Sequence, residues 1–204
     1  MAGTDRRPDP GTRALERRRS VAMAGHRGDE TTARSALGDP DPEVRATALG
    51  ALRRMGRLGH GTVAAAVSDA SPLVRRRAAE LAGDPATLIG LTADPDASVV
   101  EAACSALGET GGAGRPAVPA LARVCAQHPD PRCREAAVAA LGAIGDRAAL
   151  PAILAALSDK PTVRRRAVIA LAPFAGAEVE AALERALEDR DWQVRQAAED
   201  LLAT

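Results

Sequence analysis

One phrase, of the form D-x-D-x-x-V-R-x-x-A, returns with drift six times along the 204-residue chain, and this recurrence constrains the fold more than any other feature. The residues at its valine position are Val44, Val74, Val99, Cys133, Val163 and Val194. Successive members of this column are 30, 25, 34, 30 and 31 residues apart. Periods of this length are typical of solenoids built from two-helix units. The chain is therefore predicted to be a repeat protein.

The spacing of apolar residues inside the phrase indicates an α-helix. An alanine stands four residues after the valine position in every copy: Ala48, Ala78, Ala103, Ala137, Ala167 and Ala198. Further apolar residues follow seven and eight residues after the valine position. Positions i, i+4, i+7 and i+8 share one stripe of a helix, whereas a strand needs period two. A small side chain at the alanine position lets neighbouring helices approach closely, and a larger one would overpack the contact.

A second apolar segment precedes each of the last five phrases and predicts the first helix of a pair, with the phrase itself as the second helix. These segments begin near residues 62, 86, 116, 149 and 178. Residues 11–25 are predicted to be an unpaired second helix, with Val21 in the alanine column. Residues 1–10 are polar and proline-rich and are predicted to be a disordered tail. Residues 11–204 are then an all-α solenoid of a partial leading unit and five full units.

Charge and cysteine usage restrict the classes of partner and compartment. The chain has 27 basic and 27 acidic residues, so no overall field draws in a polyanion or an anionic membrane. It has no apolar run long enough to span a bilayer. Three cysteines without C-x-x-C spacing, and an amino terminus without an apolar signal region, lead us to expect a cytoplasmic, reduced protein.

The recurring phrase, as D-x-D-x-x-V-R-x-x-A-x-x-A-L-G, resembles the HEAT-like repeat of the type named after phycobilisome lyases, over nearly the whole chain. The resemblance implies a right-handed superhelix of antiparallel helix pairs whose second helices line a concave face. Proteins of this broad class include adaptor scaffolds, bilin lyase subunits, alkylpurine DNA glycosylases and deoxyhypusine hydroxylases. The resemblance therefore implies the fold and leaves the function open.

Two enzyme families of that class depend on residues that this chain does not have. Deoxyhypusine hydroxylases hold two irons with His-Glu pairs, but none of His26, His60 and His128 is followed by Glu. Alkylpurine glycosylases rely on aromatic residues around the damaged nucleotide, and only Trp192 could serve. Trp192 is predicted instead to pack at the end of the last repeat. We expect no catalytic residue and no cofactor.

Two other motifs have plainer interpretations than the chemistry they suggest. Cys125, His128 and Cys133 could be imagined as metal ligands, but Cys133 occupies the buried valine position, and a buried apolar thiol is the commoner case. We therefore assign no metal site. The stretch GETGGAGRP, residues 108–116, lacks the G-K-[ST] ending of a phosphate-binding loop and is predicted to be a flexible loop between helices.

An arginine follows the valine position in five of the six copies, at Arg45, Arg75, Arg134, Arg164 and Arg195, and Val100 is the exception. Because a catalytic residue is needed once, repetition favours a structural role. We predict a ladder of bidentate hydrogen bonds to the aspartates that cap neighbouring second helices. Val100 interrupts that ladder.

Charges along the predicted groove alternate in sign. Two residues after the valine position stand Ala46, Arg76, Glu101, Glu135, Arg165 and Gln196. Binding along a nucleic-acid backbone needs positive charge at several successive contacts, so this alternating pattern disfavours a nucleic-acid partner. Residues 1–60 hold 12 arginines against 8 acidic residues, which leaves nucleic-acid binding by the amino-terminal region as an alternative.

The predicted contact surface lies five and six residues after the valine position. Val138, Val168 and Ile169 are placed there, on the concave face beside Arg76 and Arg165. Exposed apolar residues edged by charge mark a protein or peptide contact. The other interpretation is that Val168 and Ile169 touch neighbouring second helices under tight curvature, and the sequence leaves both open.

The sequence thus predicts a non-catalytic scaffold that binds a partner polypeptide through the concave face. One alternative is an enzyme subunit resembling the bilin lyases. Its small-molecule ligand, a tetrapyrrole, would place its carboxylates on Arg76, Arg165 or Arg166.

Overall fold

The computed structural model describes residues 10–203, which form thirteen α-helices and no strand. The chain divides into two compact units, Met1–Leu81 and Ala82–Thr204. No helix in the described part of the chain has the length and apolar character that crossing a membrane requires.

The first unit contains five helices and one 3-10 turn at Ala36–Gly38. The helices are α1 (Pro10–Arg27), α2 (Glu30–Ser35), α3 (Pro42–Arg54), α4 (His60–Ala66) and α5 (Pro72–Leu81). The predicted second helices α1, α3 and α5 pack side by side in that order, and the short first helices α2 and α4 lie against them.

The second unit repeats this arrangement over eight helices. They are α6 (Pro85–Leu91), α7 (Ala97–Glu109), α8 (Val118–Gln127), α9 (Pro131–Ile144), α10 (Leu150–Ala156), α11 (Pro161–Ala170), α12 (Ala177–Ala186) and α13 (Trp192–Leu202). The second helices α7, α9, α11 and α13 pack in a row, each against the next. The first helices α6, α8, α10 and α12 each pack against the second helix that follows.

Aspartates set where several second helices begin. Each accepts a hydrogen bond from the backbone N–H two residues later, which satisfies one of the unpaired donors of the first turn. The capping residues are Asp41, Asp96, Asp130 and Asp191. Proline at the first turn, where its missing N–H costs least, follows the cap in α3 and α9.

The alanine column is buried as predicted. All six members, Ala48, Ala78, Ala103, Ala137, Ala167 and Ala198, are at most 1% exposed. Four leucines that stand eight residues after the valine position are also fully buried, namely Leu52, Leu107, Leu141 and Leu171, whereas Leu202 of the last helix is 48% exposed. The stripe at i, i+4 and i+8 is therefore the core of each unit.

Glycines allow the second helices to approach even more closely than the alanines alone. Gly25 of α1, Gly108 of α7 and Gly142 of α9 each face an alanine of the next second helix. A Cβ at Gly142 would lie only 2.7 Å from the Cα of Ala170. Gly108 and Gly142 stand nine residues after the valine position of their own helix. The alanine that each faces stands seven residues after the valine position of the next second helix.

The glycine contact corrects the predicted register of α1. Gly25 meets Ala51 just as Gly142 meets Ala170, so Gly25 is the ninth position and Val21 the fifth. Val21 is buried, but it does not belong to the alanine column. The prediction erred because α1 has no alanine at the fourth position, where Ser20 stands.

Two local features differ from the sequence prediction. Helix α2 was not anticipated, because ETTARS has one apolar residue, Ala33, which the structure buries completely. The predicted flexible loop at residues 108–116 is instead ordered: α7 extends to Glu109 and a 3-10 helix follows at Gly111–Ala117. Gly114 is buried there, and a larger residue at this position would collide with Thr110 and Ile144.

The described residues do not test the predicted domain organisation. All but the last residue of the predicted tail, residues 1–10, lies outside the described part of the chain, and α1 begins at Pro10. That residues 11–204 form a single solenoid stays a prediction.

Candidate functional site

The repeated arginines form the predicted ladder. In the first unit, Arg45 binds Asp69 in a bidentate manner, with Nε 2.9 Å from Oδ2 and Nη2 2.7 Å from Oδ1. Its Nη1 donates to the carbonyl oxygen of Asp39 at 2.9 Å. One guanidinium thus joins the turn before its own helix to the turn before the next.

The second unit has the same geometry twice. Arg134 binds Asp159 at 2.6 and 2.7 Å, and Arg164 binds Asp189 at 2.8 and 2.7 Å. These arginines hold the pKa of Asp159 and Asp189 below the usual range by donating to them. Arg45, Arg134 and Arg164 are engaged with their aspartates, so these residues are not available to a ligand.

The acceptor in the ladder differs from the prediction in one detail. The capping aspartate is the second of D-x-D, while the first, such as Asp69 or Asp189, receives the arginine. Val100 interrupts the ladder because it replaces the arginine. The acceptor of the same step is also absent, because His128 stands where the first aspartate of the next phrase would be. His128 Nδ1 accepts the N–H of Asp130 at 3.1 Å in place of a carboxylate.

Val138 and Val168 were assigned to the exposed contact surface, and this assignment is wrong. Both are fully buried. The fifth position faces the next second helix, because each interior helix packs against neighbours on two sides; Leu49, Cys104, Val138 and Val168 are all buried there. For Val168 the alternative interpretation, contact with a neighbouring second helix, is the correct one.

The remaining three predicted contact residues are exposed, but in different units. Arg76 lies in the first unit, where its Nε is 3.1 Å from Glu80. It lines a cleft of about 390 Å³ whose charges are largely paired, with Arg77 also bound to Glu80 and Arg18 bound to Glu43. Arg165 and Ile169 lie together on α11 of the second unit.

Arg165 and Ile169 border a groove of about 300 Å³ between α11 and α13. Its lining residues are Arg165, Ile169, Ala172, Trp192, Gln193, Gln196, Ala197, Asp200 and Leu201. The close glycine–alanine contact found at α1–α3, α7–α9 and α9–α11 is missing here, since Ala172 replaces the glycine and Leu201 the alanine. Two larger side chains hold α11 and α13 apart, and the groove follows.

The groove presents apolar surface to solvent. Ile169 is 39% exposed and Trp192 is 64% exposed. Packing of Trp192 at the end of the repeat was therefore a wrong prediction: it begins α13, where its side chain projects beyond the core. Arg165 is exposed and makes no hydrogen bond or ion pair with residues 10–203, whereas Gln196 Nε2 donates to Asp200 at 2.8 Å.

The cysteines are core residues. Cys104, Cys125 and Cys133 are free and buried, and burial raises the pKa of their thiols, that of Cys104 to about 12. Cys133 Sγ donates to the carbonyl oxygen of Ala97 at 3.2 Å. In the described part of the chain, no three His, Cys, Asp or Glu side chains come together as metal ligands.

Comparison with known proteins agrees with this architecture. Residues 85–172 match the family described as HEAT repeats. Similar solved structures include a designed armadillo repeat protein in complex with the peptide (KR)4, at 18% identity and TM-score 0.63, covering 84% of this chain and 97% of that one. No curated protein sequence matches significantly.

Two further solved structures are natural proteins. The complex of CpcE and CpcF of phycocyanin lyase from Nostoc sp. PCC7120 is similar at 24% identity and TM-score 0.58, covering 85% of this chain and 75% of that one. Human deoxyhypusine hydroxylase is similar at 22% identity and TM-score 0.50, covering 98% and 80%. At these identities the likeness concerns the fold.

The stacked helix pairs and these likenesses define the fold class, which is the all-α repeat fold that HEAT and armadillo proteins share. Within that class, residues 85–172 are similar to HEAT repeats, in line with the recurring phrase.

Proposed function

We propose that the chain is a non-catalytic binding protein that holds a segment of a partner polypeptide in the groove between α11 and α13. The observation that carries this proposal is the exposure of Ile169 and Trp192, one from each helix, beside an unpaired Arg165. Large exposed apolar side chains edged by charge are typical of protein contacts, and tryptophan and arginine dominate the energy of such contacts.

The groove suits a particular kind of segment. Ile169 and Trp192 would cover one apolar side chain of the peptide. Gln193 and Gln196 present amide groups that can both donate to and accept from a peptide backbone. Arg165 would bind a carboxylate of the same segment. The peptide complex of the designed armadillo protein supports this use of the fold.

Selection of peptides from a random display library tests the proposal, with Trp192 fluorescence as the readout. Trp192 is the only tryptophan and the chain has no tyrosine, so the emission of the chain reports on the surroundings of Trp192. A selected peptide should move the emission to shorter wavelength. Ile169→Asp should weaken binding about tenfold or more, because it places a charge in the apolar contact.

Leu73→Asp is the matched control, since Leu73 is 37% exposed in the first unit and lies outside the groove. It should leave the affinity unchanged. Equal binding by both variants, or failure to select any peptide, contradicts the proposal.

Tetrapyrrole handling is the second candidate, favoured by an exposed cation next to apolar groove walls. Arg165 would bind a propionate of the ligand, and Trp192 would contact its rings. Adding a bilin should then change its visible absorbance, and Arg165→Ala should weaken that change. An unchanged spectrum would rule this candidate out.

A further inference from the structure

Four residues of α13 form a stripe along one side of the helix: Trp192, Arg195, Glu199 and Leu202. Their spacing of three, four and three residues keeps them within an arc of about 80°. On α11 the equivalent stripe contacts the next second helix: Arg164 binds Asp189, and Val168 and Leu171 are buried. The stripe on α13 is thus the side by which a second helix of this fold normally contacts another.

On α13 this side is open. Trp192 is 64% exposed and Leu202 48% exposed, and Glu199 is exposed between them. These are two of the six exposed large apolar side chains found in residues 10–203. An apolar pair of this size on a helix face, with a charged pair between its members, has the composition of an interaction surface.

Arg195 is held for a ligand that the described residues do not supply. Its Nη1 donates to the carbonyl oxygen of Asp189 at 2.7 Å, just as Nη1 of Arg164 donates to that of Asp159 at 2.8 Å. In Arg164 the other edge, Nε and Nη2, binds a carboxylate. In Arg195 that edge has no acceptor among residues 10–203. The ladder geometry therefore indicates that a carboxylate belongs there.

The stripe is complementary to itself. Positions 192 and 202 are equidistant from residue 197, and so are positions 195 and 199. If two copies of α13 meet antiparallel about a two-fold axis at residue 197, Trp192 contacts Leu202 of the second copy. In the same arrangement Arg195 meets Glu199 of the second copy, and each ion pair occurs twice.

We infer that this face of α13 binds a second copy of the chain in an isologous two-fold dimer. Glu199 of the second copy supplies the carboxylate to Arg195, and the two Trp192–Leu202 contacts flank the paired charges. One eleven-residue helix per copy places the contact at the small end of protein interfaces, so the dimer is reversible and depends on concentration.

Sedimentation velocity on the full chain, from about 10 µM to about 500 µM, tests the inference. Wild type should shift from monomer to dimer across this range. Arg195→Glu alone and Glu199→Arg alone should each weaken the dimer about tenfold or more, because like charges then face each other twice. The double variant Arg195→Glu/Glu199→Arg should restore it.

Mixing the two single variants gives the sharpest outcome. Each is repelled by itself, yet the mixture pairs Glu with Arg at both contacts, so a heterodimer should form. Glu184→Arg on α12 makes the same charge change away from the stripe and should dimerise like wild type. Thermal melts of the variants establish that they are folded.

A wild type that stays monomeric over the whole range overturns the inference. So do single variants that dimerise like wild type, or a mixture of them that stays monomeric. Trp192 belongs to both the groove and the stripe, but Ile169 belongs to the groove alone. Ile169→Asp should therefore lose peptide binding and still dimerise like wild type, which distinguishes failure of the peptide-binding proposal from failure of the dimer.

Discussion

Glycines decide how closely consecutive second helices approach. Gly142 has so little room that a Cβ would lie within 3.0 Å of three atoms of Ala170. Gly90, near the end of α6, has no atom within 4 Å of the same position. The two residues therefore test whether close helix contact, rather than glycine as such, stabilises the unit.

Gly142→Ala should lower the free energy of unfolding by about 2 kcal/mol, because the new methyl group overpacks the α9–α11 contact. Gly90→Ala should raise it by about 0.5–1 kcal/mol, because alanine is the better helix former and meets nothing. Urea denaturation followed by circular dichroism measures both. Changes of the same sign would contradict the assignment.

The sequence alone predicted correctly that the alanine column is buried, but it did not predict correctly whether Val138, Val168 and Trp192 are buried or exposed. The alanine column is recognisable because one stripe repeats in every copy. Val138 and Val168 were misplaced because a helical wheel drawn around that stripe assumes one buried side. The interior helices bury two, and the second depends on a neighbour about 30 residues away. Trp192 was misplaced because α13 has no such neighbour in the described residues.

At the scale of helices, the arginine ladder fixes each second helix to the turn before the next one. In the second unit Arg164 is 5% exposed and spans from the carbonyl oxygen of Asp159 to the carboxylate of Asp189. Removing either partner leaves the other charge largely buried without its counterion. The ladder is therefore a structural element, with a predictable dependence on pH.

The folded-state pKa of Asp189 is lowered by Arg164, so its contribution to stability is full above the unfolded pKa of about 3.9 and is lost as pH falls through the folded pKa. Asp189→Asn should reduce unfolding free energy at neutral pH by about 3 kcal/mol. Its urea midpoint should then fall less steeply than that of wild type below pH of about 4.

Glu184→Gln, at an exposed position of α12 with no ladder contact, is the control for Asp189→Asn and should leave the unfolding free energy at neutral pH close to that of wild type. Parallel acid profiles of Asp189→Asn and wild type would show that the ladder does not stabilise the fold.

The helix pairs could be predicted because their apolar period is strong. Helix α2 could not, since six mostly polar residues carry no periodic signal and their one buried residue, Ala33, is fixed by tertiary packing. The groove was beyond prediction in the same way. The groove lies where Ala172 and Leu201 stand in place of the glycine and alanine that touch at α1–α3, α7–α9 and α9–α11, and those contacts are known only from the structure.

Across the whole molecule, the net charge of zero conceals an asymmetry. Residues 10–81 contain 13 arginines and 8 acidic residues, whereas residues 82–203 contain 12 basic and 17 acidic residues. In the first unit, Arg17, Arg18, Arg34, Arg45, Arg76 and Arg77 bind carboxylates. This pairing leaves less charge for phosphate contacts than the count of arginines suggests.

The central claim is that second helices α11 and α13, rather than the first helices, bind the partner. Hydrogen exchange of the full chain, with and without a selected peptide, measures this directly. Slower exchange should be confined to α11, α13 and the turns beside them. Protection centred on α8, α10 or α12, with α11 and α13 unchanged, would contradict the account.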